Sequence, residues 1–262
     1  MVNRGALEKI TTIVREAGRA ILQSSPNRAD LKPDGSPVSA ADRAADQSIR
    51  ASLLAWQPDM PIISEETSAA PFEERRDWPR FWLVDPLDGT KEFLAGRPEY
   101  TVNVALIEHG EPVMGAVFAP ALDLLYFAGR GQGAWRQERS RQSEPIYSSP
   151  APPGASLVVV ESRSHPSAAL ETFLNTIPVK GRVQAGSSLK FCWVAEGAAD
   201  LYPRFGRTME WDTAAGDCVY RQSGRDRERW SPLRYNTPSL AHDTFVIGLA
   251  GPDAMPAAEA RP

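Results

Sequence analysis

From Leu7 onward the chain repeats apolar residues at helical spacing. Leu7, Ile10, Ile13, Val14, Ala17 and Ile21 share one face and charged residues fill the other, which predicts an amphipathic first helix. A polar, turn-rich stretch follows over residues 24–39, with Lys32-Pro33-Asp34-Gly35-Ser36-Pro37 at its centre. A second helix is predicted from Ser39 to about Trp56, with Ala40, Ala41, Ala44, Ala45, Ile49 and Leu53 available for packing. Pro61-Ile62-Ile63-Ser64 is a short apolar run that stops abruptly at Glu65-Glu66, and residues 67–80 read as a polar surface loop. Phe81-Trp82-Leu83-Val84 has the pattern of a buried strand and stops at Asp85. Strand-like runs at 100–107, 112–119 and 124–128, with Gly110 and Asp123 between them, predict a meander.

Residues 138–154 are rich in Arg, Ser and Pro, and the boundary between two halves is expected there. The reading gives an N-terminal α+β half over 1–150, a C-terminal α/β half over 151–250 and a frayed tail over 251–262. In the second half Leu157-Val158-Val159-Val160 predicts a strand and residues 166–175 a helix. Gly186-Ser187-Ser188-Leu189-Lys190 leads into a helical run through Glu196. Leu201-Tyr202 is strand-like, Trp211 to Tyr220 helical, and 244–249 a last strand. Arg221, Arg225, Asp226, Arg227, Glu228 and Arg229 crowd one short stretch that is a poor fit for a buried strand. Strands and helices alternating in this way imply a layered α/β fold.

Composition narrows the function classes. Net charge is −4 with both signs spread along the chain, so no basic run exists to neutralise a nucleic-acid backbone. Two cysteines, without CxxC spacing or a histidine cluster, exclude a disulfide framework and a zinc site and suit reduced cytoplasmic thiols. No apolar stretch approaches transmembrane length, so the soluble cytoplasm is the default. Peripheral membrane association is left open by the first helix, for which core packing is the better explanation.

The chemistry sits where apolar runs end in acids. Carboxylates at the ends of strands in layered folds line crevices and need a cation to offset their desolvation. Clustered Asp and Glu without His or Cys suit Mg²⁺, which prefers hard oxygen ligands. In Asp85-Pro86-Leu87-Asp88-Gly89-Thr90 the rigid proline can turn Asp85 and Asp88 toward one centre, where the Leu87 carbonyl can join them. Gly89-Thr90 permits a tight turn that opens a helix whose free amides would face a phosphate. Asp-Pro and Asp-Gly also mark ordinary turns. Together with Glu65 upstream and Trp211-Asp212 downstream, however, the pattern points to metal-dependent phosphate chemistry.

Ile63-Ser64-Glu65-Glu66, Trp82-Leu83-Val84-Asp85-Pro86-Leu87-Asp88-Gly89-Thr90 and Trp211-Asp212-Thr213-Ala214-Ala215-Gly216 resemble the three signatures of the inositol monophosphatase superfamily. That resemblance implies a lithium-sensitive, magnesium-dependent phosphatase with a layered αβαβα fold. Lys91-Glu92-Phe93, Ser162-Arg163-Ser164-His165, Gly186-Ser187-Ser188-Leu189-Lys190-Phe191-Cys192 and Leu201-Tyr202-Pro203-Arg204-Phe205-Gly206 are similar to its CysQ branch of 3′(2′),5′-bisphosphate nucleotidases. The likeness spans about 5–217, resumes at Pro232-Leu233-Arg234-Tyr235-Asn236, and is broken over 222–230, where the family has a glycine-rich turn and a strand.

By resemblance, Glu65, Asp85, the Leu87 carbonyl, Asp88 and Asp212 hold two or three Mg²⁺ ions. Thr90 positions the attacking water, and Asp42 accepts from its hydroxyl. Read alone, Asp42 is a first-turn acid favoured by the helix dipole, and the two roles are compatible. Glu66 is either a support for Glu65 or a solvated neighbour. The phosphate to be cleaved is expected at Asp88, Gly89, Thr90 and Asp212. Gly186, Ser187, Ser188 and Lys190 make a candidate cradle for a second phosphate, although alone Lys190 reads as a surface lysine. Arg204 and His165 are weaker candidates, His165 equally suiting a helix cap. Trp211 suits core packing beside Asp212 better than stacking on a base. The implied reaction converts adenosine 3′,5′-bisphosphate (PAP) to AMP and phosphate by in-line attack of a metal-activated water, with the phosphosulfate form (PAPS) as a further candidate. An inositol or sugar-phosphate phosphatase, and a non-catalytic nucleotide-binding regulator, are the alternatives. The partner is a small molecule, and a homodimer is left open.

Overall fold

A computed structural model describes residues 2–25, 29–31, 37–152, 154–163, 167–225 and 228–251. Helix α1 (Arg4–Gln23) starts at Asn3, whose side chain accepts from the Ala6 amide at 2.9 Å. It buries the stripe read from the sequence, together with Gly18, where a Cβ would come within 2.5 Å of Phe118. A short antiparallel hairpin, β1 (Ala29–Leu31) and β2 (Pro37–Ser39), leads into α2 (Ala40–Trp56), which packs beside α1. The buried face of α2 differs from expectation. Ala40 is exposed and Ala44 half-buried, whereas Asp42 and Asp46 are buried beside Ala41, Ala45, Ile49 and Leu53.

Strand β3 (Ile62–Ser64) runs parallel to β4 (Arg80–Asp88). The expected surface loop between them contains a short helix, α3 (Phe72–Arg75), with Arg75 only 2% exposed. Arg75 donates to the carbonyls of Ala70, Thr237 and Pro238 and to Asn236 Oδ1, which pins this polar stretch to a loop far along the chain. After α4 (Thr90–Leu94), strands β5 (Thr101–Glu108), β6 (Glu111–Ala119), β7 (Leu124–Gly129), β8 (Gly133–Glu138) and β9 (Glu144–Ile146) follow as an antiparallel meander. They complete a seven-stranded sheet in the order β3 to β9. The expected runs correspond to β4–β7. Strands β8 and β9 escaped the pattern because each buries one residue fully, Ala134 and Ile146, and lacks an apolar run.

The remaining elements are β10 (Leu157–Ser162), α5 (Ala168–Leu174), β11 (Val179–Ala185), α6 (Leu189–Ala195), β12 (Tyr202–Met209), α7 (Glu210–Arg221) and β13 (Ala241–Ile247). Strands β10 and β11 pair in parallel, β12 and β13 antiparallel, and a bridge between Val159 and Leu201 links the two pairs. Strand β11 buries only Ala185 fully, and β12 is much longer than the two residues foreseen. Beyond α7 the charged stretch forms no strand among its described residues. Alternation along β4 explains the layering. Trp82, Val84 and Leu87 meet α1 and α2, while Phe81 and Leu83 meet α6 and α7 on the opposite face. The β10–β13 strands lie beyond, with Val159, Leu201 and Val246 covered by Leu170, Phe173 and Leu174 of α5. The five layers are thus αβαβα. Cys192 and Cys218 are buried and free, and among the described residues no helix is long and apolar enough to cross a membrane. Residues 252–262 of the expected tail, the turn at 32–36 and the helix start at Pro166 lie outside the described residues.

The glycine ending the third signature has a packing reason. A Cβ at Gly216 would lie 2.7 Å from Phe191 Cβ and 2.9 Å from its ring, where α7 crosses α6. Overpacking of this kind costs about 1–3 kcal/mol. Gly216→Ala is therefore expected to lower the urea midpoint of unfolding with the m-value unchanged, and an unaltered midpoint would contradict this packing.

Candidate active site

Two acids three residues apart on a regular strand would point to opposite faces. Here Asp85 lies opposite Asn103 and Asp88 opposite Thr101, so β4 carries one residue more than β5 across this interval. The resulting bulge restores the parity and lets both carboxylates line one pocket. Pro86 sits inside it, where a missing N–H costs no ladder bond, and the Leu87 amide donates to Asp85 Oδ1 at 3.1 Å. Gly89 then takes φ +95°, a left-handed conformation that glycine adopts without strain, and its carbonyl accepts from Phe93 to open α4. That helix is a single turn, so its dipole is small; the turn itself presents Thr90.

Thr90 Oγ1 lies 3.0 Å from Asp42 Oδ1 and 3.3 Å from the Leu87 carbonyl. Asp42 Oδ2 meanwhile accepts from the Ser39 amide at 2.7 Å and the Ser39 hydroxyl at 2.6 Å, closing a capping box on α2. The helix-start contacts of Asp42 and its hydrogen bond from Thr90 therefore coexist, one on each oxygen. Glu65 follows β3 directly, and its amide extends the ladder to the Val84 carbonyl at 3.1 Å. Ser64 anchors that strand end by donating to Asp46 Oδ1 at 2.5 Å, and it accepts from the Glu66 amide at 3.4 Å. Asp212 lies in the first turn of α7, its Oδ2 accepting from Thr208 Oγ1 at 2.7 Å and the Met209 amide at 2.9 Å. Glu65, Asp85, Leu87, Asp88, Gly89, Thr90 and Asp212 thus come together around one cavity of about 290 Å³.

The electrostatics follow from crowding. Burial, followed by the charges of Glu65, Asp88 and Asp212, pushes the Asp85 carboxyl well above the usual range. Burial and Asp88 push Asp212 up to about 7, against the hydrogen bonds from Thr208 and Met209. Every potential ligand is a hard oxygen. Among the described residues no three His, Cys, Asp or Glu side chains are already placed to hold a metal ion between them, and a hydrogen bond with Glu65 adds to the rise of Asp85.

The second-half turn is built differently from the expected cradle. The Gly186 amide donates to Glu99 Oε2 at 3.0 Å, and Glu99 also holds Arg163. A Cβ at Gly186 would meet the Glu99 carbonyl at 2.5 Å. Ser187 takes φ +55° and donates to Asp88 Oδ2 at 2.6 Å, with Thr101 Oγ1 also in contact. The Ser188 hydroxyl is 2.5 Å from the Asp212 carbonyl and 3.3 Å from Asp88 Oδ2. These donors hold the acids and the turn in place. Lys190 is buried rather than solvated: Nζ donates to the Ser187 carbonyl at 2.6 Å and sits over the Tyr202 ring. Burial draws its ammonium down to about 8. Arg204 lines the pocket and donates to the Gly206 and Arg207 carbonyls, Trp211 packs against the core, and His165 lies outside the described residues.

Sequence reading missed several residues here. Thr101 and Asn103 share one face of β5, and Asn103 reaches Asp88 and Ser188 at 3.4 and 3.0 Å. A polar residue inside an apolar strand was the available signal. Asp46, one turn after Asp42 on the buried face of α2, was visible in the same way. Glu99 and Thr208 gave no signal.

Comparison with known proteins agrees with this geometry. The sequence profile of the inositol monophosphatase family matches residues 4–231. The 3′(2′),5′-bisphosphate nucleotidase CysQ of Escherichia coli strain K12 is 44% identical over 235 residues, covering 87% of this chain and 93% of that protein. CysQ of Buchnera aphidicola is 43% identical, covering 93% and 91%. The crystal structure of CysQ from Bacteroides thetaiotaomicron superposes with a TM-score of 0.76 at 35% identity, covering 93% of this chain and 96% of that one. An IMPase from Thermotoga maritima shares the fold, with a TM-score of 0.73 at 23% identity and coverage of 94% and 93%. This chain belongs to the inositol monophosphatase family.

Proposed function

We propose that this protein is a 3′(2′),5′-bisphosphate nucleotidase that hydrolyses adenosine 3′,5′-bisphosphate to AMP and phosphate, with the phosphosulfate form as a second substrate. The observation that carries the phosphatase reading is the joining at one pocket of four carboxylates, from the end of β3, β4 and α7, with Thr90, whose hydroxyl is held from behind by Asp42. The bisphosphate reading is supported by the likeness to CysQ proteins, which extends over most of the chain. Two buried free cysteines accord with a reducing compartment such as the cytoplasm.

The residues fit a divalent metal. An all-oxygen donor set suits Mg²⁺, and the burial and mutual repulsion that raise Asp85 and Asp212 are what a cation would offset. We assign Glu65, Asp85, the Leu87 carbonyl, Asp88 and Asp212 to two or three such ions. Bound there, they would neutralise the charge of the transferring phosphoryl group and acidify a water. The chain itself does the positioning. Asp42 accepts the hydrogen bond of the Thr90 hydroxyl, so a Thr90 lone pair is left to accept from a water and aim it in line at phosphorus. That water's oxygen bonds to phosphorus as the bond to the ribose oxygen breaks; the water gives up a proton, and the leaving oxygen takes one up from solvent to become the ribose hydroxyl of AMP. The cleaved phosphate lies against the Gly89–Thr90 turn. Lys190 and Arg204 answer the second phosphate, with Gly186, Ser187 and Ser188 shaping the wall between the two.

Three outcomes test this reading. With Mg²⁺, the purified protein should release the 3′-phosphate of the bisphosphate, Li⁺ should inhibit it, and inositol 1-phosphate should be a poor substrate; faster turnover of inositol 1-phosphate would assign a sugar-phosphate specificity instead. Thr90→Val and Asp42→Asn should each lower kcat by about 10²–10⁴-fold, and the double variant should be no worse than the weaker single one, because the two groups act as a unit. Independent effects that multiply would break the proposed pair. In chelator, Asp85→Asn should raise the melting temperature by about 2–4 °C, the equivalent of about 1 kcal/mol in a chain of this size; with Mg²⁺ present the same variant should have lost turnover. An unchanged or lower melting temperature would show that repulsion among the acids does not load the fold.

A further inference from the structure

The C-terminal end of α7 opens on a second cavity, of about 540 Å³, that shares no lining residue with the acidic pocket. Arg221 and Asp212 stand nine residues apart on the same helix, so roughly 14 Å of helix separates the two sites. The lining includes Arg221, Arg225, Arg229 and Arg234, with Trp230 beside them, and so uses the charged stretch that breaks the family likeness.

The arginines are unequally matched. Arg221 has Asp217 at 2.9 Å and Glu111 at 3.6 Å, and Arg234 has Glu111 at 3.4 Å. Among the described residues no carboxylate lies within ion-pair distance of Arg225 or Arg229. Arg229 is 7% exposed, yet its partners are neutral: Nη1 donates to the Ser148 carbonyl at 3.4 Å, Nη2 to the Tyr220 hydroxyl at 3.2 Å, and Nε to nothing. A buried charge is ordinarily matched by an opposite one. Arg225 is exposed, its guanidinium carbon over the Tyr147 ring at 4.9 Å from the centroid, and a guanidinium placed over a ring can still offer N–H donors to an acceptor. The carbonyl end of α7 disfavours an anion by its sign, but four guanidiniums against three carboxylates, Glu111 and Glu228 in the lining and Asp217 on Arg221, still outweigh that half-charge.

We propose that this cavity binds a small molecule bearing an oxyanion, a phosphate or sulfate either free or on a nucleotide, gripped by Arg229 and Arg225 with Arg234 at the rim. Leu249 and Ala250 also line it, so the segment 252–262 is the competing occupant. The test titrates the whole 262-residue chain, in chelator and at constant ionic strength, with sulfate, phosphate and adenosine 5′-monophosphate. The Trp230 indole N–H, assigned by its loss in Trp230→Phe, reports the site by NMR. A saturable shift is expected, weakened at least tenfold in Arg225→Gln/Arg229→Gln and less in Arg229→Lys. If the double variant does not fold, Arg225→Gln/Arg234→Gln at exposed positions carries the same expectation. The tightest of the three probes identifies the source of the oxyanion. A non-saturating shift, a saturable one that survives the substitutions, or binding only by a chain ending at Gly251 would overturn the proposal. Phosphate-ester hydrolysis by the arginine variants should be unaffected, so this test and that of the nucleotidase reading fail separately.

Discussion

Repulsion between like charges in a confined space is the constraint around which the molecule is arranged. Glu65, Asp85, Asp88 and Asp212 border one small pocket, and the charges of the other three add to the effect of burial on Asp85. A protein could quiet such a cluster with arginines, but a pocket neutralised from within could no longer attract a cation. The chain instead steadies its acids with uncharged donors. Ser187, Ser188 and Asn103 serve Asp88, Thr208 and the Met209 amide serve Asp212, and the Leu87 amide serves Asp85. Neutral hydrogen bonds fix orientation while leaving the negative field in place. The nearest buried cation, Lys190, is turned to the carbonyls of its own turn.

What could be read from sequence follows from how locally each feature is encoded. The stripe of α1 and the apolar runs of β4–β7 are local patterns, and they folded as read. The acids were legible because Glu65 and Asp85 each interrupt an apolar run at its end. The bulge between Asp85 and Asp88 was not legible, since it exists only in pairing with β5. The proline suggested that both acids could face one way; the extra residue is how they do so. Glu99 acts on groups remote in sequence and Thr208 lies on a strand whose length was underestimated, and nothing in their own neighbourhoods marks them. Lys190 shows the same limit in reverse: its residue type suggested the surface, and the Tyr202 ring with the Ser187 carbonyl made burial tolerable. Arg75, in a polar stretch read as a loop, is buried because four oxygens receive it.

The bulge and the second-half turn have a joint consequence. Ser188 reaches the Asp212 carbonyl and Asp88, Ser187 reaches Asp88, and Lys190 holds the Ser187 carbonyl. The segment assigned to substrate recognition therefore also props the acids assigned to metal, so neither set can be redesigned alone. Ser187 makes this concrete. Its left-handed backbone is unfavourable for a residue with a side chain, and glycine would relieve it. Glycine would also remove the hydroxyl that binds Asp88 at 2.6 Å. The strain is retained because the hydrogen bond that depends on it orients a carboxylate, and this places the shape of the turn and the direction of Asp88 under one geometric control.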